Sequence, residues 1–440
     1  MKKWLAATLG AGALSFNLAA SASEISDIVN TCSTCGSNIP QVIRARQMVF
    51  GLENVDATTG VVAPEKVLFS WLTNASFAAS VQGHVILLDT YVTRLEVAPG
   101  RTPFVIADLV NLKPEAILIG HGHFDHADNA AYIAAHTGAP IFASTETCDA
   151  MQTDLARLKA DPLVSANAAT KIPSNAAIKC VPVTSSGSTP AAEVVRVPVF
   201  DQVACVVAFR HMHSVAVPPD STFLPTPVQI IVDPRDAALF PAGTPLTPAR
   251  TGTPKPGQMD LTTAQGAGAV ISIWYHFVMR GGNNLTFAWH NTAGALKEGC
   301  GADKCWGPAV GQNIVHVLQS LPPTDIELGT ASSGNFTNNG LRDLIMYQQA
   351  VKPKVYIPNH LTSGTATREA SSLSVYVGYL QQLENMENPA AGWPGFPSAQ
   401  WPDVRWLVDP TDYLRPMEFR NTDAAWKNPA KAAVIQNFCG

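Results

Sequence analysis

An α/β fold is what this 440-residue sequence predicts, and three stretches carry that reading. The apolar run Ala116-Ile117-Leu118-Ile119-Gly120 has the length and make-up of a buried strand. The alanine-rich stretch Ala127 to His136 reads as a helix, and Ala139-Pro140-Ile141-Phe142-Ala143 as the next strand. Strand, helix and strand in that order are the repeating unit of α/β domains. Between the first strand and the helix lies His121-Gly122-His123-Phe124-Asp125-His126, a dense group of metal-ligating side chains.

The remaining elements follow in chain order. Residues 1–22 read as a secretory signal, with Lys2 and Lys3 as the charged start, Trp4 to Ala20 as the apolar core and Ala20-Ser21-Ala22 as the cleavage motif. The mature chain is expected to begin near Ser23 and to be periplasmic or secreted. No later apolar run is long enough for a stable membrane span after signal cleavage. Residues 23–66 form a polar N-terminal extension. Val67-Leu68-Phe69-Ser70-Trp71-Leu72, Ala75 to Val81 and His84-Val85-Ile86-Leu87-Leu88-Asp89 read as strands, the last two joined by a Gln82-Gly83 turn. Leu109 to Glu115 leads into the strand before the histidine cluster.

Glu193 to Pro198 and Val203 to Phe209 are further strands, the second running into His211 and His213. Residues 214–265 are rich in proline and threonine and read as a long excursion. Ala269 to Val278 and Leu285 to Trp289 form a hairpin around Arg280-Gly281-Gly282-Asn283-Asn284. Asn339 to Ala350 reads as a helix, and Val355-Tyr356-Ile357-Pro358-Asn359-His360 as a final strand. Residues 366–440 form a C-terminal extension packed on the domain, and its tail from Pro389, rich in tryptophan and proline, is expected to wrap the surface.

Composition narrows the function. A net charge of -5 and the lack of a long basic run exclude a nucleic-acid partner. Export makes the eight cysteines candidates for disulfides. Cys300 and Cys305 are spaced for a local bridge. Cys32 and Cys35 could close locally or act as a redox pair, and the partners of Cys148, Cys180, Cys205 and Cys439 stay open. There is no Gly-x-Ser-x-Gly nucleophile elbow, and Ser332-Ser333-Gly334 lacks a P-loop lysine.

The histidine cluster makes the strongest chemical statement. Imidazole and carboxylate suit zinc, with manganese or iron as alternatives. His121 and His123 are two apart and can point the same way at a strand end, while Asp125 and His126 diverge to a neighbouring point.

Several segments together resemble the metallo-β-lactamase superfamily over roughly residues 67–365. They are His121-x-His123-x-Asp125-His126 after an apolar strand, Trp71-Leu72-Thr73-Asn74-Ala75-Ser76, Asp89 at a strand end, Arg210-His211-Met212-His213-Ser214, and Lys354 to His360. The nearest likeness is to the branch that contains ascorbate-phosphate lactonase and N-acyl-phosphatidylethanolamine phospholipase D. The resemblance implies a four-layer αββα sandwich with a two-metal site on one edge. Carried over by position, it implies that His121, His123 and His213 hold one metal and that Asp125, His126 and His360 hold the other. The cofactor it implies is zinc, as one or two ions. His213 is preferred to His211 because Ser214 follows it, and Asp89 is expected behind the ligands as a hydrogen-bond acceptor. His84, His136, His276 and His316 have no ligand context and are expected to be structural or exposed.

Two positions depart from the family pattern. Its bridging aspartate falls here on Asn291, in Trp289-His290-Asn291-Thr292-Ala293-Gly294, and a neutral amide bridges two cations poorly. Three consequences stay open: the second metal is weak or absent, His290 substitutes as a ligand or lines the pocket, or Asp233 supplies the missing charge. The flanking hairpin favours Asn291 itself at that place. The second departure is Asn74, where a histidine is common in the branch.

The expected function is an exported hydrolase that uses metal-bound hydroxide on an ester or lactone, with Asp125 orienting the water as well as binding metal. The substrate is expected to be a small or lipid-like molecule. A phosphodiesterase or phospholipase-like hydrolase is the alternative. A non-catalytic metal- or ligand-binding protein that retains the fold is the rival from another class, and Asn291 is the residue that supports it.

Overall fold

Every residue of strand β1 (Val67–Thr73) is buried, which requires a sheet covered on both faces. Alternation along the strand divides its side chains between two apolar clusters. Val67, Phe69 and Trp71 enter one, and Leu68 and Leu72 enter the other. The same division runs through β2 (Ser76–Val81), β3 (His84–Leu88), β4 (Ala116–Leu118) and β5 (Ile141–Ser144), where one cluster takes Phe77, Ile86, Leu118 and Phe142 and the other Ala78, Leu87, Ile117 and Ile141.

The structure, a computed structural model, describes residues 39–92, 105–165, 171–217, 219–220, 222, 268–332, 335–336, 339–361, 372–390, 392–407 and 412–439. The expected signal segment, Cys32, Cys35, Asp233 and nearly all of the 214–265 excursion lie outside the described residues.

The chain builds two sheets. The first has the order β14-β1-β2-β3-β4-β5-β6, with β6 at Cys180–Thr184 and β14 at Met417–Phe419. The second has the order β13-β12-β11-β10-β9-β8-β7. Its strands are β7 (Val194–Val197), β8 (Ala204–His211), β9 (Ser272–Met279), β10 (Thr286–Trp289), β11 (Ile326–Thr330), β12 (Val355–Asn359) and β13 (Asp403–Val404). In both sheets, antiparallel pairs give way to parallel ones. The change comes at β3 in the first sheet and at β10 in the second. Parallel strands need crossovers, and helices between successive parallel strands supply them.

Helices α1 (Pro40–Phe50), α2 (Ile106–Asn111), α3 (Phe124–Ala127), α4 (Ala130–Thr137), α5 (Thr145–Ala160) and α6 (Pro162–Ser165) accompany the first sheet. Helices α7 (Pro308–Ser320), α8 (Arg342–Val351), α9 (Ser372–Asn385) and α10 (Lys431–Cys439) accompany the second. Among the described residues the result is helix, sheet, sheet, helix, the expected four-layer sandwich. No helix among them is long and apolar enough to cross a membrane.

Three differences from the sequence reading have physical causes. The extension read as polar contains α1, which buries Val42, Ala45, Val49 and Phe50. Its one buried cation, Arg46, donates to the carbonyls of Leu112 and Gly60. The helix expected at 127–136 is broken in two, because Asn129 sits at φ 76° in the left-handed region. The tryptophan-rich tail does more than cover the surface. It supplies β13 and β14, one edge strand to each sheet, and it buries Trp393 and Trp426.

Disulfides tie the periphery. Cys300–Cys305 closes the short loop, as expected, while Cys148–Cys180 joins α5 to β6 and Cys205–Cys439 joins β8 to α10.

The two sheets meet through aromatic rings. Phe69 of β1 stands edge-on to Phe287 of β10, with centroids 5.0 Å apart, and Phe287 stacks on Phe277 at 4.2 Å. Replacing Phe287 with alanine opens a cavity at this seam. The expected loss is about 3–5 kcal/mol of unfolding free energy, read from urea denaturation as a lower midpoint with an unchanged slope.

Candidate metal centre

The ends of six strands converge on one edge of the sandwich. β4 runs out into His121 and His123, and the short α3 carries Asp125 and His126. From the second sheet, β8 leads to His213 and β12 to His360, and β10 leads to Asn291. The ends of β3 and β1 bring Asp89 and Asn74. Ligand sites form at the carboxyl ends of parallel strands because the chain leaves the sheet there with its side chains free to converge.

The donors fall into two groups of three: His121, His123 and His213, and Asp125, His126 and His360. Within each group the ligand atoms lie within 4.8 Å of one another. The groups adjoin, since the rings of His121 and His126 are 4.0 Å apart. His121 and His126 are buried, whereas His123, Asp125, His213 and His360 are half-buried and form the accessible side.

The hydrogen bonds fix which nitrogens face inward. Asp89 Oδ2 lies 2.7 Å from Asn291 Nδ2 and 2.6 Å from His126 Nδ1. A carboxylate only accepts, so the Asn291 NH2 group must face it. The Asn291 carbonyl oxygen then faces His121 Nδ1 at 2.8 Å and accepts its proton. His213 Nδ1 likewise donates to the Ser214 carbonyl at 2.8 Å. His121 and His213 therefore turn unprotonated Nε2 atoms toward each other, 3.3 Å apart, with His123 Nδ1 3.0 Å from His121 Nε2.

Two lone pairs at that distance repel unless a cation lies between them. His126 repeats the pattern: Nδ1 is held by Asp89, and Nε2 is buried with no hydrogen-bond partner among the described residues, 3.5 Å from Asp125 Oδ2. His360 Nε2 approaches the same oxygen at 3.4 Å. The donor set thus fits a divalent metal, with three protein ligands for each of two positions.

Protonation agrees with this use in the metal-free chain. Burial, reinforced by neighbouring imidazoles, pushes His121 well below the usual histidine range. Burial is also the main reason that His123 falls to about 4 and His213 to about 3. Burial works to raise Asp125, but His126 and His360 outweigh it and hold the carboxyl well below its ordinary value. His126 is the exception: burial opposes its charge, yet Asp125 and Asp89 raise its pKa.

One turn holds both groups in place. Asn291 reaches His121 and Asp89, and Asp89 in turn holds His126 Nδ1. Thr292 Oγ1 accepts the backbone N–H of Ser214, next to His213. Asn359, before His360, donates to the carbonyl of His290. The close approach of Asn291 explains Gly120, where an added Cβ would stand 2.2 Å from the amide nitrogen.

The sequence-predicted residues therefore divide as follows. His121, His123, Asp125, His126, His213 and His360 come together, and Asp89 lies behind His126. His211 stays in the interior, edge-on to Trp274 and 3.4 Å from the Tyr347 hydroxyl. Asn291 stands beside the centre, but it accepts from His121 at Nδ1, away from Nε2, and donates to Asp89, so its amide orients ligands rather than bridging them. His290 does not join the centre. Neighbouring side chains on an extended strand point to opposite faces, and its ring stacks on Trp274 at 4.4 Å while Nε2 meets Glu327 at 2.8 Å. No role for Thr292 or Asn359 is legible in the sequence, because their contributions are hydrogen bonds to distant backbone.

Parts of the chain are similar to known proteins. Residues 84–277 match the beta-lactamase superfamily domain. A metal-dependent hydrolase of Pyrobaculum arsenaticum is 37% identical over 76 residues, which cover 17% of this chain and 32% of that protein. One of Pyrobaculum islandicum is 36% identical over the same shares of the two chains. The match thus spans about a third of the length of these curated relatives. Among solved structures, a metallo hydrolase of the hyperthermophilic archaeon Ignicoccus hospitalis shares 14% identity at a TM-score of 0.42, covering 81% of this chain and 99% of that one.

The orientation of Asn291 yields a test that opposes simple restoration of the family residue. Asn291→Asp would set a second buried carboxylate against Asp89 and remove the donor between them. The expected cost is about 3–5 kcal/mol of stability at pH 7 in the metal-free protein. The raised pKa of that carboxyl pair makes the penalty grow as pH rises above the ordinary aspartate value of about 4, and shrink below it. Denaturant unfolding of Asn291→Asp and Asn291→Ala at pH 4 and pH 7 checks this, and a stabilised Asn291→Asp protein would contradict the orienting role.

Proposed function

We propose that this chain, which carries a beta-lactamase superfamily domain, is an exported metal-dependent hydrolase that cleaves a carboxylic ester or lactone. The observation that carries the reading is the convergence of five imidazoles and one carboxylate on two adjacent points, where the unprotonated Nε2 atoms of His121 and His213 face each other at 3.3 Å. A divalent metal bound there would acidify a water and polarise the oxygen of the scissile group. Zinc is the first choice for five imidazoles and a carboxylate, with manganese or iron as alternatives.

The chain's own residues supply the rest. Asp125, kept ionised by His126 and His360, is the one carboxylate among the six donors, and it can accept a hydrogen bond from an attacking water and so orient it. Asp89 and Asn291 hold His126 and His121 in single ring orientations, so the donors need little rearrangement when the centre is loaded. The half-buried ring of His123 and carboxylate of Asp125 border the open side, where a substrate must enter.

Attack at carbon rather than phosphorus is favoured by charge, since a chain of net charge -5 offers no general attraction for phosphate esters. Export is supported by three disulfides among the described residues, which persist in oxidising compartments. The substrate is proposed to be a small or lipid-like molecule.

Protein purified without chelator should contain zinc, manganese or iron by elemental analysis. With zinc or manganese added, it should hydrolyse chromogenic esters or lactones, lose that activity on chelation and regain it on reloading. His123→Ala should lower kcat/KM by at least about 100-fold. Turnover confined to phosphodiesters would move the reaction to phosphorus. Bound metal without turnover across the panel would make the protein a binding protein, and hydrolysis indifferent to chelation would overturn the proposal.

A further inference from the structure

Asn74 combines two unfavourable features. Its φ of 50° lies in the left-handed region, and its amide is 2% exposed with Oδ1 lacking a hydrogen-bond partner among the described residues. A side chain in that backbone region and a buried unmet acceptor both cost stability. What the residue gains is a hold on the second group of donors. Nδ2 donates to the Asp125 carbonyl at 2.8 Å and to Asp125 Oδ2 at 3.1 Å. The same Oδ2 faces His126 Nε2 at 3.5 Å and His360 Nε2 at 3.4 Å.

The backbone of Asn74 adds to this hold. Its carbonyl accepts the His360 N–H at 3.0 Å and the Trp71 indole N–H at 2.9 Å. His360 is itself held at φ 60°, and the next residue, Leu361, pairs with Asn74 as an isolated bridge. One residue at the end of β1 therefore grips Asp125 through its side chain and His360 through its backbone. Its hydrogen bonds reach the second group, while the first is held by Asn291 and Ser214.

We propose that Asn74 is a positioning residue for the Asp125, His126 and His360 group, and that it sets this group's affinity for a divalent cation separately from that of His121, His123 and His213. The proposal rests on the metal-dependent reading above. It assigns the amide N–H as the group that turns Asp125 Oδ2 toward the two imidazoles. Without that donor the half-buried carboxylate is free to rotate toward solvent, whereas the three-histidine group keeps its own partners.

The test uses the full mature chain and zinc itself, titrated against a chromophoric chelator, with the visible spectrum of the cobalt-loaded protein as a second readout. Two variants fit the left-handed backbone. Asn74→Gly removes the amide without backbone strain. Asn74→Asp keeps the shape but replaces the donor with a second carboxylate. Wild type should bind two equivalents. Asn74→Gly should weaken the second equivalent by about 10–100-fold and leave the first within about threefold, and both variants should alter the part of the cobalt spectrum that develops with the second equivalent.

A purely structural role would weaken both equivalents together, and that result overturns the proposal. An unchanged second equivalent in Asn74→Gly, or a wild type that binds only one zinc, overturns it as well while leaving the hydrolase reading in place. A wild-type chain that takes no zinc, manganese or iron overturns both.

Discussion

The amide of Asn291 joins the two sheets at the metal centre. It extends from the end of β10 in the second sheet and reaches Asp89 and His121, which leave β3 and β4 in the first. The geometry is self-consistent only in one sense of the amide. Asp89 demands its N–H, the carbonyl then demands a proton on His121 Nδ1, and the lone pair of His121 must lie on Nε2. A chain of three hydrogen-bonding groups thus determines which nitrogen a metal could meet. Thr292 and Asn359 attach the same turn to the strands that deliver His213 and His360. The packing of β10 against β9 and β11 therefore governs ligand geometry in both groups.

Backbone strain gathers at the same edge. Asn74, Asp89 and His360 all have φ between 50° and 60°, a region that costs a side chain roughly 1–3 kcal/mol. Each residue stands where a strand ends and its side chain must turn toward the centre rather than continue the alternation of the sheet. Regular pleating would send these side chains to alternate faces of the strand. The left-handed step redirects them. Such positions persist only when surrounding hydrogen bonds over-determine them, and all three have them. Asp89 N–H bonds the Leu118 carbonyl, His360 N–H bonds the Asn74 carbonyl, and Asn74 spans Asp125.

The strands that lead to the centre were legible in the sequence because burial on both faces writes continuous apolar runs. Val67 to Leu72, His84 to Asp89, Ala116 to Gly120 and Val355 to His360 could be read that way, and the donors sit at or just past the ends of such runs. The histidines were legible by their spacing and by the resemblance it carries. What stayed hidden depends on contacts between distant residues. The facing of Asn291 is set by Asp89 and Gly120, 202 and 171 positions away in the chain, so position alone suggested a failed bridge. For His290 the sequence left a ligand and a pocket residue both open, and strand alternation and Glu327 turn it into the opposite layer. Helix α1 was obscured because the charge of Arg46 masks an apolar face, and β13 and β14 are too short to leave a pattern.

The Asn291 arrangement also changes what the loss of a carboxylate means. Read from sequence, an amide at this position subtracts a negative charge from the centre. In the structure the charge is set further back, on Asp89, and the amide transmits it. Asp89 is buried and accepts from Asn291, His126 and the Gly120 N–H, so three donors satisfy its carboxylate without cancelling its charge. Through His126 Nδ1 that charge makes Nε2 a better donor, the usual effect of a carboxylate behind a metal-binding imidazole. Through Asn291 it reaches His121 more weakly, because a neutral amide polarises where a carboxylate would attract. A second carboxylate at position 291 would have to share this buried space with Asp89, and two like charges there repel. Asn291 is thus the residue that lets one buried carboxylate serve two imidazoles, one in each donor group.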